Sequence, residues 1–296
     1  MFCKRQRSVL FCIVVGLCLF GCSDFIVHPI EKEAMTGDSE AGSDSETQDP
    51  SDFHGTDSDT APQETDSDGD SDSSSASDAE NPESCQPLLK AKIRDFSNEH
   101  PDFATDYCCG VATGLVADDL GADDKPVFAS AYSSADSNYQ SISSAETFAQ
   151  WYNTIDGVNY ETMVDLPLTK VNDSTWEYRN NEFFPLADDF GFGNEWQAFN
   201  YSFTTEIHLT FVYQEGQVFT FTGDDDLWIF VERKLALDLG GVHVETSGSI
   251  DMDTWARDLG MVDGESYRMD IFHAERKPGA SNFHVETNIA CIIPIV

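Results

Sequence analysis

Two runs of alternating apolar residues meet at three consecutive aspartates in the second half of the chain. The runs begin at Phe219 and Leu227, and the joint reads Gly223-Asp224-Asp225-Asp226. Aromatic and β-branched residues at every second position are typical of β-strands. Carboxylates 4 Å apart repel by about 1 kcal/mol in water and about 4 kcal/mol at an effective dielectric constant of 20. We therefore expect a β fold with an acidic corner that recruits a cation, and calcium is the first candidate.

The same strand pattern recurs through the rest of the chain after Asn200. Segments rich in β-branched and aromatic residues lie at 201–204, 207–213, 218–222, 227–231, 267–272 and 283–289. This succession predicts a mainly β fold, an antiparallel β-sandwich. Two short helices are expected, at 143–152 after a capping box that starts at Ser143, and at 251–260. Residues before 200 are less periodic, with a short strand at 176–178 and a long loop at 183–193.

The N-terminus predicts export. Lys4, Arg5 and Arg7 precede an apolar run over 9–20, which closes on Leu19-Phe20-Gly21-Cys22. This layout is typical of a secretory signal peptide, here residues 1–21, and the run is too short to span a bilayer. The closing residues resemble the bacterial lipobox, in which the cysteine is acylated. We therefore predict a lipoprotein modified at Cys22, and the alternative is an ordinary signal peptide with an incidental cysteine.

Residues 22–84 are predicted to form a disordered acidic tether. From 23 to 84 there are 19 acidic residues and a single basic one, Lys32. Low hydrophobicity and like charge keep such a segment unfolded and extended. The remaining domain, 85–296, carries 35 acidic and 12 basic residues, a net charge of −23. This charge repels nucleic acid and anionic lipid, so it favours neutral ligands or cations.

Four cysteines belong to the domain: Cys85, Cys108, Cys109 and Cys291. In an oxidising exported compartment they are expected to form two disulfides, and three pairings are possible. Because Cys108 and Cys109 are adjacent, we expect each to bond to one of the other two. A zinc site is the competing interpretation, although no C-x-x-C pair is present.

The order of the motifs resembles the fibro-slime domain family of exported bacterial proteins and some social-amoeba surface and spore-coat proteins. The resemblance is strongest in Gly223-Asp-Asp-Asp-Leu-Trp-Ile-Phe230 and in Asp238-Leu-Gly-Gly-Val-His243. Further matching segments lie at 93–96, 100–103, 148–152, 183–186, 200–204, 271–276 and 281–283. The family is similar to the β-sandwich domain of anthrax protective antigen, which recurs in glycosidases, adhesins and toxins and often binds carbohydrate.

The resemblance also implies a set of site residues. In lectin-like members, an aspartate pair on one loop and polar groups on a second loop hold a calcium ion that binds sugar hydroxyls. Asp224 and Asp225 match the pair, and Asp226 is an additional aspartate at the same corner. The second loop precedes Phe283, which brings Glu275 and Asn282 within reach. The implied metal ligands are therefore Asp224, Asp225, Glu275 and Asn282.

Several of these residues have competing interpretations. The corner is alternatively a solvated hairpin turn in which Asp224 accepts hydrogen bonds from nearby amides. Asp238 and Glu275 either complete the cation site or pair with Arg276 and Lys234. Arg276 is expected to form a buried ion pair with Glu275 that holds a loop.

Structural roles are also expected for the histidines and for one turn. His243 and His273 are expected to have structural roles rather than to bind metal or catalyse a reaction, and His243, which follows Gly240-Gly241, is expected to hydrogen-bond loop backbone. Trp228 is expected to be buried in the sheet. The turn Glu232-Arg233-Lys234 replaces the usual Asn-Gly hairpin turn, so a longer or less ideal loop is expected.

These features predict an exported lipoprotein, anchored by lipid alone to the bacterial cell envelope, at the outer membrane or cell surface. Its domain is predicted to bind carbohydrate or a cell-surface glycan in a calcium-dependent manner, with Asp224, Asp225, Asp226 and Asn282 as ligand-binding residues. One alternative is a structural matrix or coat component that binds other proteins, and another is a secreted glycoside hydrolase. An enzyme is not expected, because the sequence has no nucleophile elbow, H-E-x-x-H helix or phosphate loop.

Overall fold

The computed structural model describes Cys85 and residues 87–103, 110–135, 139–194 and 198–296. The predicted signal peptide, the lipidation site Cys22, the predicted tether 22–84, and the cysteines Cys108 and Cys109 lie outside these described residues. The described part contains no helix that is long and apolar enough to cross a membrane.

The described residues form twelve strands and two short helices. In chain order they are β1 (Leu88–Phe96), α1 (Ala145–Phe148), β2 (Asn159–Pro167), β3 (Thr169–Lys170), β4 (Trp176–Asn180), β5 (Phe203–Val212), β6 (Val218–Gly223), β7 (Asp226–Val231), β8 (Lys234–Leu239), β9 (Thr246–Asp251), α2 (Met252–Leu259), β10 (Ser266–Glu275), β11 (Phe283–Thr287) and β12 (Ile292–Ile295).

The strands build two antiparallel sheets that pack as a β-sandwich, which confirms the predicted fold class. The seven-stranded sheet has the order β2-β1-β5-β10-β7-β8, and β12 pairs with β5 beside this path. The five-stranded sheet has the order β3-β4-β11-β6-β9. Between the sheets lies one apolar core, to which Phe221, Ile229, Ile271 and Phe283 contribute.

A second apolar core covers the other face of the seven-stranded sheet. Trp228, Phe230 and Phe272 project from β7 and β10 into this core, where they meet Phe148 and Trp151. Strand β7 is therefore buried on both faces, and Trp228 is fully buried as expected. This double burial explains why the sequence of β7 is apolar at nearly every position instead of alternating.

Both helices form within the predicted segments, but α1 ends at Phe148 rather than continuing to residue 152, and its N-cap is displaced. Helix α2 begins after Asp251, whose side chain accepts a hydrogen bond from Asp253 N, and it ends at Gly260 with φ of 70°. In α1 the N-cap is Ser144 rather than Ser143, and the side chains and amides of Ser144 and Thr147 bond reciprocally. The predicted capping box is thus displaced by one residue.

The strand predictions need three further corrections. Residues 201–204 and 207–213 were expected as separate strands, but β5 runs continuously from the second half of the first segment through most of the second. Strands β1, β2, β3, β9 and β12 were not predicted. The β7–β8 turn is not longer than usual, because Val231 pairs with Lys234 and only Glu232 and Arg233 lie between them, both with positive φ.

A disulfide joins Cys85 to Cys291, with their Cα atoms 4.7 Å apart. The expectation that each of these would bond to Cys108 or Cys109 is therefore wrong. The topology supplies the reason. Strands β1 and β12 follow the two cysteines and both run antiparallel to β5, so both begin towards the same end of β5.

Candidate functional site

The acidic corner is a crossover between the two sheets. Gly223 ends β6 in the five-stranded sheet, and Asp226 begins β7 in the seven-stranded sheet. The peptide bond between Asp224 and Asp225 is cis. The three aspartates are at most 5% exposed, so the alternative of a solvated hairpin corner is wrong.

A second crossover runs beside the first. Residues 276–282 connect β10, which pairs with β7, to β11, which pairs with β6. The register places Ala274 opposite Asp226 and Phe283 opposite Gly223. The two connections therefore leave and enter their sheets at matching positions, which brings residues 275–282 to the corner.

Asp224 joins the two crossovers. Its carboxylate accepts hydrogen bonds from the backbone N of Asn282 at 2.6 Å and from Asn282 Nδ2 at 2.7 Å. Its carbonyl oxygen lies 2.8 Å from His273 Nε2. Burial lowers the pKa of His273 to about 4, so the ring is neutral and donates from Nε2. His273 thus fixes the corner backbone, in the structural role expected for it.

Asp226 is occupied by structural contacts. Its Oδ1 accepts from Gly241 N and its Oδ2 accepts from Arg276 Nε, both at 2.6 Å. Both side chains of the Asp226–Arg276 ion pair are fully buried. The expected buried ion pair of Arg276 is therefore present, but its partner is Asp226 and not Glu275.

Arg276 directs its remaining donors away from the corner. Nη1 donates to Ser141 O at 2.7 Å and Nη2 donates to Ser141 Oγ at 3.1 Å. The guanidinium carbon also lies 4.8 Å from the centre of a Trp151 ring. One basic side chain thus neutralises Asp226 and anchors the second core.

Glu275 and Asp225 are buried carboxyl groups whose charged forms are disfavoured. Glu275 is fully buried, and neither of its carboxylate oxygens has a hydrogen-bond partner among the described residues. The Ser281 hydroxyl and the Lys277 backbone lie near enough to favour the charged form of Glu275, but the hydroxyl donates its hydrogen bond to Phe183 O. Burial, and then the charges of Asp225 and Asp224, raise the pKa of Glu275 well above its usual value.

Asp225 shares this environment. Its Oδ2 accepts a hydrogen bond from the backbone N of Arg276 at 3.0 Å. Burial raises the pKa of Asp225 to about 7, and the Arg276 guanidinium only partly offsets this rise. Within the described residues, the ligand atoms of Asp224, Asp225 and Glu275 do not all lie within 4.8 Å of one another. A cation bound by all three would therefore draw them closer together.

The remaining predicted candidates lie in structural contacts elsewhere. Asp238 accepts hydrogen bonds from Gly114 N at 2.8 Å and from Trp228 Nε1 at 3.0 Å, and Lys234 pairs with Asp119. Neither completes the corner, so the expected pairing of Lys234 with Asp238 or Glu275 is wrong. Both ring nitrogens of His243 lie 2.9 Å from backbone oxygens, which confirms its expected role.

An aromatic cluster that was not among the predicted site residues lies beside the second crossover and consists of Phe184, Phe199 and Tyr201. Phe184 stacks on Phe199 with centroids 4.5 Å apart and meets Tyr201 edge-on at 5.1 Å. Phe199 is 43% exposed. Burial, and then the charge of Glu275, raise the pKa of Tyr201, so the cluster lies within electrostatic reach of the corner.

The backbone connects this aromatic cluster to the second crossover. Phe183 N donates to Ser281 O, and Ser281 Oγ donates to Phe183 O, both at 2.8 Å. The sequence signal was the density of aromatic residues between 183 and 201.

The chain is similar to several proteins of Dictyostelium discoideum. It is 38% identical to protein psiD over 212 residues, which cover 68% of this chain and 41% of psiD. It is 35% identical to protein psiQ over 223 residues, which cover 70% of the chain and 22% of psiQ. For protein psiC the identity is 34% over 214 residues, with coverage of 68% and 40%. No family model matches the chain. The chain thus spans less than half the length of these curated relatives, whose names state no activity.

Proposed function

We propose that the corner and the second crossover bind calcium and, through it, a neutral glycan. The observation that carries this proposal is the buried Glu275 carboxyl group, whose oxygens have no hydrogen-bond partner among the described residues and which lies in the field of Asp225 and Asp224. A buried charge without a partner is costly, so such groups are normally paired or bound to a metal. A divalent cation at this place would remove the cost.

The ligand chemistry suits calcium. Calcium takes six to eight oxygen ligands, commonly carboxylates and amide or backbone carbonyls. Asp224, Asp225 and Glu275 offer carboxylate oxygens. Asn282 donates through Nδ2 to Asp224, which leaves its side-chain oxygen to act as a ligand. Asp226 is left out of the proposed set, because its charge is already neutralised by the buried ion pair with Arg276, whereas Asp224 bonds only to uncharged amide donors.

The glycan part of the proposal is supported by charge and by aromatic surface. The domain's net negative charge disfavours anionic ligands, whereas sugar hydroxyls can fill the free coordination positions of a calcium ion. The exposed face of Phe199 in the aromatic cluster offers an apolar surface to a sugar ring beside the corner. The ring is held by stacking on Phe184, so little conformational freedom would be lost on binding.

Export and lipid anchoring belong to the same proposal. The Cys85–Cys291 disulfide supports an oxidising compartment outside the cytosol. Acylation of Cys22 would then display the domain on the envelope through the acidic tether. Membrane fractionation of the full chain tests this, since Cys22→Ser should move the protein from the membrane to the soluble fraction. Equal membrane recovery of both proteins would contradict lipidation at Cys22.

Thermal unfolding of the full chain with calcium or with a chelator tests the metal site. Calcium at a hundred times its dissociation constant should add about 2.7 kcal/mol, or roughly 5–10 °C for a domain of this size. Asp225→Ala and Glu275→Gln should abolish the rise, and Glu275→Gln should also raise the melting temperature in chelator, because it removes an unpaired buried charge. The exposed Glu215→Gln is the matched control. A wild-type melting temperature that is the same with calcium and with chelator would refute the metal site.

A glycan array with and without chelator tests the ligand. Binding should require calcium, and Phe199→Ala should weaken glycan binding while leaving the calcium-induced rise in melting temperature unchanged. A calcium response without any glycan binding would refute the glycan part and leave the metal site standing.

A further inference from the structure

A second group of metal-ligating side chains lies on the outer face of the five-stranded sheet. Glu177 on β4 and His284 and Glu286 on β11 have ligand atoms that all lie within 4.8 Å of one another. On β11 the alternate residues Phe283 and Val285 point into the core, so His284 and Glu286 share the outer face. Glu177 pairs directly with Glu286 in the register and so projects from the same face.

The arrangement places like charges against each other on paired strands. Carboxylates directly opposite on an antiparallel pair repel and destabilise the sheet. Arg179, the register partner of His284, is the nearest basic residue in the sheet register, and it is exposed. Among the described residues of this group, Glu177 and His284 form a hydrogen bond, with His284 Nε2 3.2 Å from Glu177 Oε2.

That separation fits a shared metal ion. Zinc binds histidine nitrogen and carboxylate oxygen at about 2.0–2.2 Å, so two tetrahedral ligand atoms lie about 3.4 Å apart. Glu177 Oε2 and His284 Nε2 are therefore close to the required separation before any ion arrives. Both residues sit on regular paired strands, which hold a ligand set more rigidly than loops do.

We propose that Glu177, His284 and Glu286 form a zinc site on this sheet face, with the fourth position open to water. The imidazole ligand separates this site chemically from the proposed calcium corner, because calcium takes oxygen ligands whereas imidazole suits zinc and copper. The zinc site is independent of the proposed glycan function.

Isothermal titration of zinc chloride into the full chain, with saturating calcium present to occupy oxygen-only sites, tests the proposal. The wild type should show a one-to-one binding event. His284→Ala and Glu286→Gln should each weaken that event by about tenfold or more, because removing even an outer-shell partner of a metal ligand commonly costs this much. The exposed Glu215→Gln should bind zinc like the wild type.

The imidazole signals of the histidines give a second readout, since zinc should shift those of His284 and leave those of the buried His273 unchanged. Glu286 is exposed, so Glu286→Gln keeps the test valid even if His284→Ala folds poorly. Zinc isotherms that are the same for the wild type and Glu286→Gln would overturn the assignment, as would an unshifted His284 signal at saturating zinc.

Discussion

Replacing Arg276 with methionine should be among the most destabilising changes that leave the core side chains intact. Arg276 is fully buried and its side chain donates hydrogen bonds to Asp226 and to the backbone and hydroxyl of Ser141. Methionine fills a similar volume but makes none of these bonds. The Asp226 carboxylate then keeps Gly241 N as a donor and loses its cation.

The expected loss follows from the state of the partner left behind. Removing one member of a buried ion pair costs about 3–5 kcal/mol, because an uncompensated charge stays in the interior. The total free energy of unfolding of such a domain is about 5–15 kcal/mol. Arg276→Met should therefore remove about a fifth or more of the stability.

Urea unfolding of the oxidised full chain measures this loss, and a double variant isolates its cause. Arg276→Met with Asp226→Leu should recover most of the lost stability, since replacing both partners by apolar residues is often neutral. The exposed Arg257→Met on α2 is the matched control and should change stability by less than about 0.5 kcal/mol. A loss below about 1 kcal/mol for Arg276→Met, or a double variant no more stable than the single one, would refute the reasoning.

Two further predictions concern pH and the packing of the corner. Glu206 has its pKa lowered from 4.5 to about 2: burial opposes the shift, but bonds from His208, Arg94 and Lys125 outweigh it. Its contribution to stability is therefore complete above about pH 4.5 and lost as the pH falls toward 2. Burial lowers the pKa of His208, yet the carboxylates of Asp270 and Glu206 raise it above 6.5 overall, so its contribution is lost as the pH rises through that raised value. The free energy of unfolding should therefore fall below about pH 4.5 and also above the raised pKa of His208. Glu206→Gln should reduce the fall below pH 4.5, and an unchanged fall in that range would contradict the prediction. Gly223→Ala should lower stability and weaken the calcium response, because its Cβ would lie 2.7 Å from the Phe221 ring and still closer to the Asn282 backbone oxygen. If Gly223→Ala had the same melting temperature and the same calcium-induced rise as the wild type, the close contact of the two crossovers would be contradicted.

Much of the fold could be predicted because the central strands carry their own signal. Strands β6, β7, β10 and β11 are rich in aromatic and β-branched residues and coincide with predicted segments. Strand β2 carries no such signal, because it lies at the edge of its sheet and is largely exposed or half-buried. Strand β1 does carry a signal, because the buried Leu89, Ala91 and Ile93 alternate with lysines, and this alternation was overlooked.

The site could be predicted in part. The family resemblance predicts that Asn282 lies near the aspartate corner, and in the structure Asn282 donates two hydrogen bonds to Asp224. The partner of Arg276 could not be predicted from adjacency. Successive residues of a strand point to opposite faces, so Glu275 and Arg276 at the end of β10 diverge. Only the cross-strand register shows that Arg276 reaches Asp226.

This divergence explains how one corner can serve both stability and binding. Arg276 satisfies Asp226 and anchors the second core through Ser141, so the charge that the fold requires is neutralised on one face. Glu275 points to the other face, where burial and then the charges of Asp225 and Asp224 raise its pKa, and where its oxygens have no hydrogen-bond partner among the described residues. The corner backbone cannot relax to relieve this repulsion, because His273 holds the Asp224 carbonyl and Asn282 holds its carboxylate. The corner thus holds carboxyl groups at fixed positions where burial and mutual repulsion disfavour their charged forms, and a bound cation would stabilise the protein by removing that cost.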